Sequence, residues 1–188
     1  MSLRIAVTVL AACVLAAPAA EAGWFDLFKR HKGVAPVTDE LYLEECGACH
    51  FAYQPGWLPS RSWTRLIDPE ALADHFGDNA ELDEADRKRL AQVLLKGAAE
   101  RSGYKRSRKV YRSLDRDAAP LRITETPYIR DKHGRIPDGL VAGNEAVGSL
   151  AQCDACHTGA SDGDFDDDRV VIPGHGPWTG WRPFSWTR

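Results

Sequence analysis

Methionine occurs once in this chain of 188 residues, at the initiator. Once the N-terminus is processed, no thioether sulfur remains to bind a metal. Strand patterning is equally scarce. No segment sustains the alternation of apolar and polar side chains that a half-buried strand needs. A sheet-based architecture is therefore excluded, and a mostly α chain with long loops is expected. Long apolar runs are also missing. The longest, Ile5 to Ala16, is shorter than the roughly 20 residues that cross a bilayer. Nor is there a surplus of positive charge: 24 Lys and Arg stand against 27 Asp and Glu, for a formal net charge of −3. Nucleic acid is a poor partner for such a chain.

Against these absences, one pentapeptide pattern occurs twice: Cys46-Gly47-Ala48-Cys49-His50 and Cys153-Asp154-Ala155-Cys156-His157. Each reads Cys-x-x-Cys-His, the attachment signature of a c-type haem. Two thiols three positions apart on a helical turn can add to the two vinyl groups of one porphyrin. The His that follows lies under the ring and takes one axial position on iron. Two copies predict two covalently bound haem c groups, with His50 and His157 as proximal ligands.

Two other chemistries use such cysteine pairs. A Cys₄ zinc ribbon usually sets its pairs about 15–20 residues apart, whereas roughly a hundred residues separate Cys49 from Cys153. Zinc also needs no His immediately after each pair. A thioredoxin-like redox motif belongs in a βαβ context and should occur once.

The N-terminus supplies a matching compartment. Arg4, the apolar run, Pro18 and the Ala20-Glu21-Ala22 ending form a signal-peptide pattern, with cleavage expected after Ala22. Export to the periplasm is therefore expected. A competing reading takes Leu10-Ala11-Ala12-Cys13 as a lipobox with Cys13 lipidated. The residues after it, Val14-Leu15-Ala16, stay apolar and argue against that.

The remaining chain divides into an N-terminal haem module over 23–98, a basic linker over 99–118, a C-terminal haem module over 119–175 and a Trp-rich tail over 176–188. Within the first module, Thr38 reads as the N-cap of a helix running into Cys46. Asp68-Pro69 opens a helix carrying Leu72, His75 and Phe76 and closed by Gly77. Asp83 caps a helix with Leu90, Val93 and Leu94 on one stripe. The linker, with Arg101, Lys105, Arg106, Arg108, Lys109, Arg112 and Arg116, is expected to be solvated, since charge runs usually are. In the second module Thr126-Pro127 opens a short helix with Ile129 and His133, stopped by Gly134. Ser149 is expected to start the helix that carries the second haem motif.

The second axial ligand of each iron follows partly by elimination. Met and His are the common partners of a His-ligated c-haem, and the single Met is lost with the leader. Four histidines remain: His31, His75, His133 and His175. His31 lies between Arg30 and Lys32, and His175 between Gly174 and Gly176, so both read as surface residues. His75 and His133 lie on apolar helix faces, beside Leu72 and Ile129, where an imidazole can be held still.

Taken together these residues resemble the small bacterial dihaem cytochromes c. The resemblance is carried by Glu45-Cys46-Gly47-Ala48-Cys49-His50, Leu58-Pro59 with Ser62-Trp63, Leu72-Ala73-Asp74-His75-Phe76-Gly77 with Asn79-Ala80, Arg122-Ile123-Thr124-Glu125-Thr126-Pro127, His133, and Cys153 to His157. It implies two small haem modules packed around two low-spin bis-His haems, with His75 and His133 distal. It further implies an electron carrier that takes electrons from a membrane b-type cytochrome and passes them to a small oxygen-binding monohaem cytochrome. Asp68-Pro69-Glu70, the length of the basic segment and the Trp-rich tail depart from the family pattern. The alternative function is a dihaem enzyme, a peroxidase or small-molecule reductase, which needs one iron open to ligand.

Overall fold

The structure is a computed structural model that describes residues 31–178. The expected signal peptide, Cys13, and Trp181 and Trp186 of the tail lie outside the described residues. No helix among the described residues is long and apolar enough to cross a membrane.

The chain is mostly helical, as its weak strand patterning requires. Among the described residues seven α-helices run in order: α1 Glu40–Glu45, α2 Ser60–Leu66, α3 Pro69–Ala73, α4 Glu84–Gly97, α5 Lys105–Ser113, α6 Pro127–His133 and α7 Cys153–Cys156. Short 3-10 turns and loops join them. A two-residue hairpin, β1 Val171–Ile172 with β2 Gly176–Pro177, pairs antiparallel with Ile172 opposite Gly176. It is too short to leave an alternating pattern in the sequence.

Capping chemistry sets several helix starts. Asp68 accepts from the Glu70 amide, with Pro69 as the first helical residue. Asp83 accepts from the amides of Ala85 and Asp86, each at 2.9 Å. At α1 the cap is Asp39 rather than Thr38, accepting from the Tyr42 amide at 3.0 Å. Thr126 precedes α6, but its hydroxyl donates to the Ile123 carbonyl at 2.8 Å instead of capping the helix.

Two buried clusters organise these elements. The first joins Tyr42 of α1, Trp63 and Leu66 of α2, Leu72 of α3, and Leu90 and Leu94 of α4. The second joins Val34, Trp57, Val110, Ile129, Ala160 and Phe165. Residues from the expected N-terminal module, Val34 and Trp57, thus sit in the core of the C-terminal half. Buried Gln54 fastens this crossing: its amide donates to the Ala160 carbonyl at 2.5 Å and its oxygen accepts from Trp57 Nε1 at 3.0 Å. Gly163, at φ 71°, lets the Val34 strand of chain pass directly beside it; a Cβ there would collide with the Val34 carbonyl oxygen.

Four further local expectations need correction. Where solvated linker is expected, residues Lys105–Ser113 form α5, with Ser107 and Val110 fully buried. Its cations hide the pattern because only two apolar-facing positions, three apart, are needed to seat a short helix. The α3 helix ends at Ala73, so His75 is not on it. His75 instead opens a tight turn, its amide donating to the Asp78 carbonyl at 2.7 Å, with Phe76 at φ 61°. The helix expected from Ser149 begins only at Cys153. The hairpin also continues past the expected module end at 175, since the Trp178 amide donates to the Val170 carbonyl at 2.9 Å.

Helix α5 provides a direct test. Val110→Asp should destabilise the folded protein by more than about 3 kcal/mol, because it buries an unpaired carboxylate. Denaturant unfolding at neutral pH measures this, and an unchanged midpoint would mean that the segment is solvated after all.

Candidate haem-binding sites

The first Cys-x-x-Cys-His motif lies just beyond α1. The Cys46 amide closes that helix by donating to the Tyr42 carbonyl at 3.0 Å, and residues 47–50 leave it in a turn. Gly47 is required there: a Cβ would collide with the Leu43 carbonyl oxygen. The second motif forms α7, where the His157 amide donates to the Cys153 carbonyl at 2.9 Å. Both motifs therefore fold over one turn, but only the second is helical.

The structure brings the four key imidazoles together in two pairs. His50 faces His75 with ring centroids 6.4 Å apart and planes at 25°. His157 faces His133 with centroids 6.1 Å apart and planes at 71°. An imidazole nitrogen lies about 1.1 Å from its ring centroid and binds a metal at about 2 Å, so two rings sharing one axial ion stand about 6 Å apart. Both pairs have that spacing.

Backbone carbonyls orient two of the rings. His50 Nδ1 lies 2.8 Å from the Phe51 carbonyl oxygen, and His133 Nδ1 lies 2.9 Å from that of Ile129. A nitrogen facing a carbonyl must donate, so Nδ1 carries the proton and Nε2 keeps its lone pair for a metal. Burial, with the facing His133 adding to it, pushes the His157 imidazole down to about 4. Burial and then the facing His50 also lower His75. Both rings are thus neutral at ordinary pH, the form that coordinates iron.

The four motif cysteines are free, and burial raises the thiol of Cys46 to about 11 and that of Cys153 to about 12. As neutral thiols beside apolar side chains, they suit an apolar macrocycle. Among the described residues no three His, Cys, Asp or Glu side chains gather to hold a metal ion alone. The two cysteine pairs therefore do not form one tetrahedral zinc site.

A cleft of about 470 Å³ opens between the second pair of imidazoles, lined by Cys153, Cys156, His133, His157, Trp57 and Phe165 among others. That volume falls in the range of cofactor sites. Phe165 packs its ring 4.7 Å from Trp57 and 5.2 Å from His157. Thiols at one wall, opposed imidazoles across the gap and aromatic faces between them fit a haem. The two sites adjoin. The Tyr53 ring lies 4.9 Å from His50, and its hydroxyl donates to the Ala151 carbonyl, two residues before Cys153, at 2.7 Å.

His31 and His175 lie elsewhere. His31 stacks on Tyr104 at 4.7 Å, and exposed His175 lies 6.0 Å from Trp178 in the hairpin turn. Sequence reasoning missed Tyr53, Gln54, Trp57 and Phe165. None belongs to a motif, and the contacts that place them, Tyr53 with Ala151, Gln54 with Ala160 and Trp57 with Phe165, join residues far apart in sequence.

The sequence profile of the dihaem cytochrome c family matches residues 42–165. Solved structures agree. The chain is 37% identical to a diheme cytochrome type c from Shewanella baltica OS155, covering 74% of this chain and 96% of that one, at a TM-score of 0.61. It is 41% identical to a diheme cytochrome c from Rhodobacter sphaeroides, covering 70% of this chain and all of that one, also at a TM-score of 0.61. No curated protein gives a significant match. This chain belongs to the dihaem cytochrome c family.

Proposed function

We propose that the protein is a periplasmic electron carrier with two covalently attached, low-spin bis-His haems, not an enzyme. In this reading Cys46 and Cys49 form thioethers to one haem and Cys153 and Cys156 to the other. His50 with His75 and His157 with His133 supply the axial nitrogens. The observation that carries the reading is the facing of each motif histidine by a second imidazole at 6.4 and 6.1 Å between centroids. An open-site enzyme would need one iron with a free or displaceable sixth position.

When bound, each haem supplies a one-electron couple at iron. The protein's own residues hold that couple in place. His50 and His133 are aimed by the Phe51 and Ile129 carbonyls. Two imidazole nitrogens on each haem would leave the ligand set the same in both oxidation states, which would favour fast outer-sphere transfer. They would also set the potentials below those of His/Met cytochromes, since Met ligation raises the potential. Tyr53 ties the first site to the chain entering the second. The signal-peptide pattern ending at Ala22 supports export, and the family resemblance supports a membrane b-type cytochrome as donor and a small oxygen-binding monohaem cytochrome as acceptor.

Intact-mass measurement of exported protein should show two haem masses above a chain beginning at Gly23. Its reduced spectrum should not change on adding carbon monoxide. One haem, bound zinc, or a rapid spectral shift with carbon monoxide would each overturn the corresponding part of this reading.

A further inference from the structure

Nothing in the ligation above uses Arg122, yet this side chain lies beside the His75 turn and lines a cavity that His133 also lines. Its guanidinium carbon stands 4.0 Å over the centroid of Phe76. That ring in turn meets the His75 imidazole edge-on at 4.8 Å. Phe76 holds a left-handed backbone at φ 61° and is 45% exposed, unusual for a bulky apolar residue. Such a conformation persists only where the surroundings impose it, and Arg122 covers the ring's face in a cation–π contact. Arg122 also lines a second cavity of about 570 Å³ together with Ile129, His133 and Leu150. Its position is anchored by the next residue, Ile123, which packs against both buried clusters. The nearest carboxylate, Glu125, is 4.0 Å away, and both side chains are about half exposed.

We propose that Arg122 is a positioning and potential-setting residue shared by the two haems: it pins the Phe76 ring against His75, and its charge between the sites favours the reduced form of both irons. The inference rests on the bis-His reading above. Reduction adds one electron to each iron from an external one-electron donor, so a fixed cation nearby stabilises the product more than the reactant. No bond forms or breaks at Arg122. The haem held by Cys46 and Cys49 should respond more, because Phe76 and His75 connect Arg122 to it directly.

The test is a potentiometric titration, followed by visible and low-temperature spin-resonance spectra, of fully haem-loaded protein. Arg122→Gln should lower the reduced-to-oxidised ratio of the first haem at fixed potential by about fourfold, allowing for half exposure. That corresponds to about 35 mV at 59 mV per tenfold for one electron. The second haem should move in the same direction by less. Arg122→Lys should keep most of the potential but alter the first haem's spin-resonance signal, since an ammonium cannot stack as a planar guanidinium does. Glu125→Gln should move the first haem the opposite way, to higher potential. Unchanged potentials in an Arg122→Gln protein with two low-spin haems would overturn the proposal. Equal losses in the Gln and Lys variants would also overturn it, by showing a packing role alone. Should Arg122→Gln lose a haem, Arg122→Lys decides: a kept potential with an altered first-haem resonance signal supports the proposal, and an unaltered signal refutes it. A wild-type protein with fewer than two haems would instead refute the dihaem reading.

Discussion

His133→Ala protein is expected to bind carbon monoxide rapidly at one of its two haems, and His75→Ala protein at the other. Each variant removes one of two opposed imidazoles and leaves its partner in place. The chain's one Met is the initiator, and the other two histidines lie elsewhere, His31 on Tyr104 and His175 beside Trp178. About half of the haem absorbance should therefore shift to high-spin form, not a small fraction of all of it. The interplanar angles identify which half. Imidazoles at 25° and 71° split the iron orbitals differently, so the wild-type haems should give two distinct low-spin resonance signals. His75→Ala should abolish the signal of the near-parallel pair and His133→Ala that of the crossed pair. His31→Ala and His175→Ala should leave both. If His175→Ala opened an iron while His133→Ala did not, the assignment would be wrong, although bis-His ligation itself would survive.

The second large effect concerns folding. Cys153→Ala with Cys156→Ala should prevent stable haem retention in the C-terminal half and leave that half poorly ordered. Its core is small: six buried residues, one of them contributed by α5 and two by segments before residue 60. The cleft that Trp57, Ile129 and Phe165 border measures about 470 Å³. Without its cofactor that space fills with water beside Trp57 and Phe165, and the apolar burial that should offset chain entropy is missing. Limited proteolysis should cut the variant first between 119 and 170, while the cluster around Leu90 and Trp63 persists longer. That first cluster, with nine buried residues, is built largely from helix-to-helix contacts. Equal protease resistance of variant and wild type would refute the claim.

Local chemistry made several elements readable in the sequence. Asp68-Pro69 and Asp83 carry their own helix starts, because a cap and its amide partners lie within three residues. The same locality makes the Cys-x-x-Cys-His motifs conspicuous: anchors and a proximal ligand for one cofactor fit within five residues. Reading failed where the deciding partner is remote or where a local turn overrides an apparent helical spacing. Helix α5 looks like a solvated charge run until Trp57 and Ile129 are found packed near Val110. His75 looks helix-borne because Leu72 precedes it by three, but the chain turns at Asp74 to bond Asp78.

The sequence by itself determined the kind of cofactor chemistry available: two attachment motifs, no Met beyond the initiator, and four further histidines. Those are counts and short spacings, which survive any folding of the chain. Only the tertiary structure decided which imidazole faces which, at what angle, and what stands between the two sites. Tyr53 reaching Ala151, Gln54 reaching Ala160 and Arg122 covering Phe76 are contacts between segments that no periodicity links. They form because burying two separate apolar clusters draws distant loops together, and hydrogen bonds and cation–π contacts then select one arrangement among those that burial alone allows.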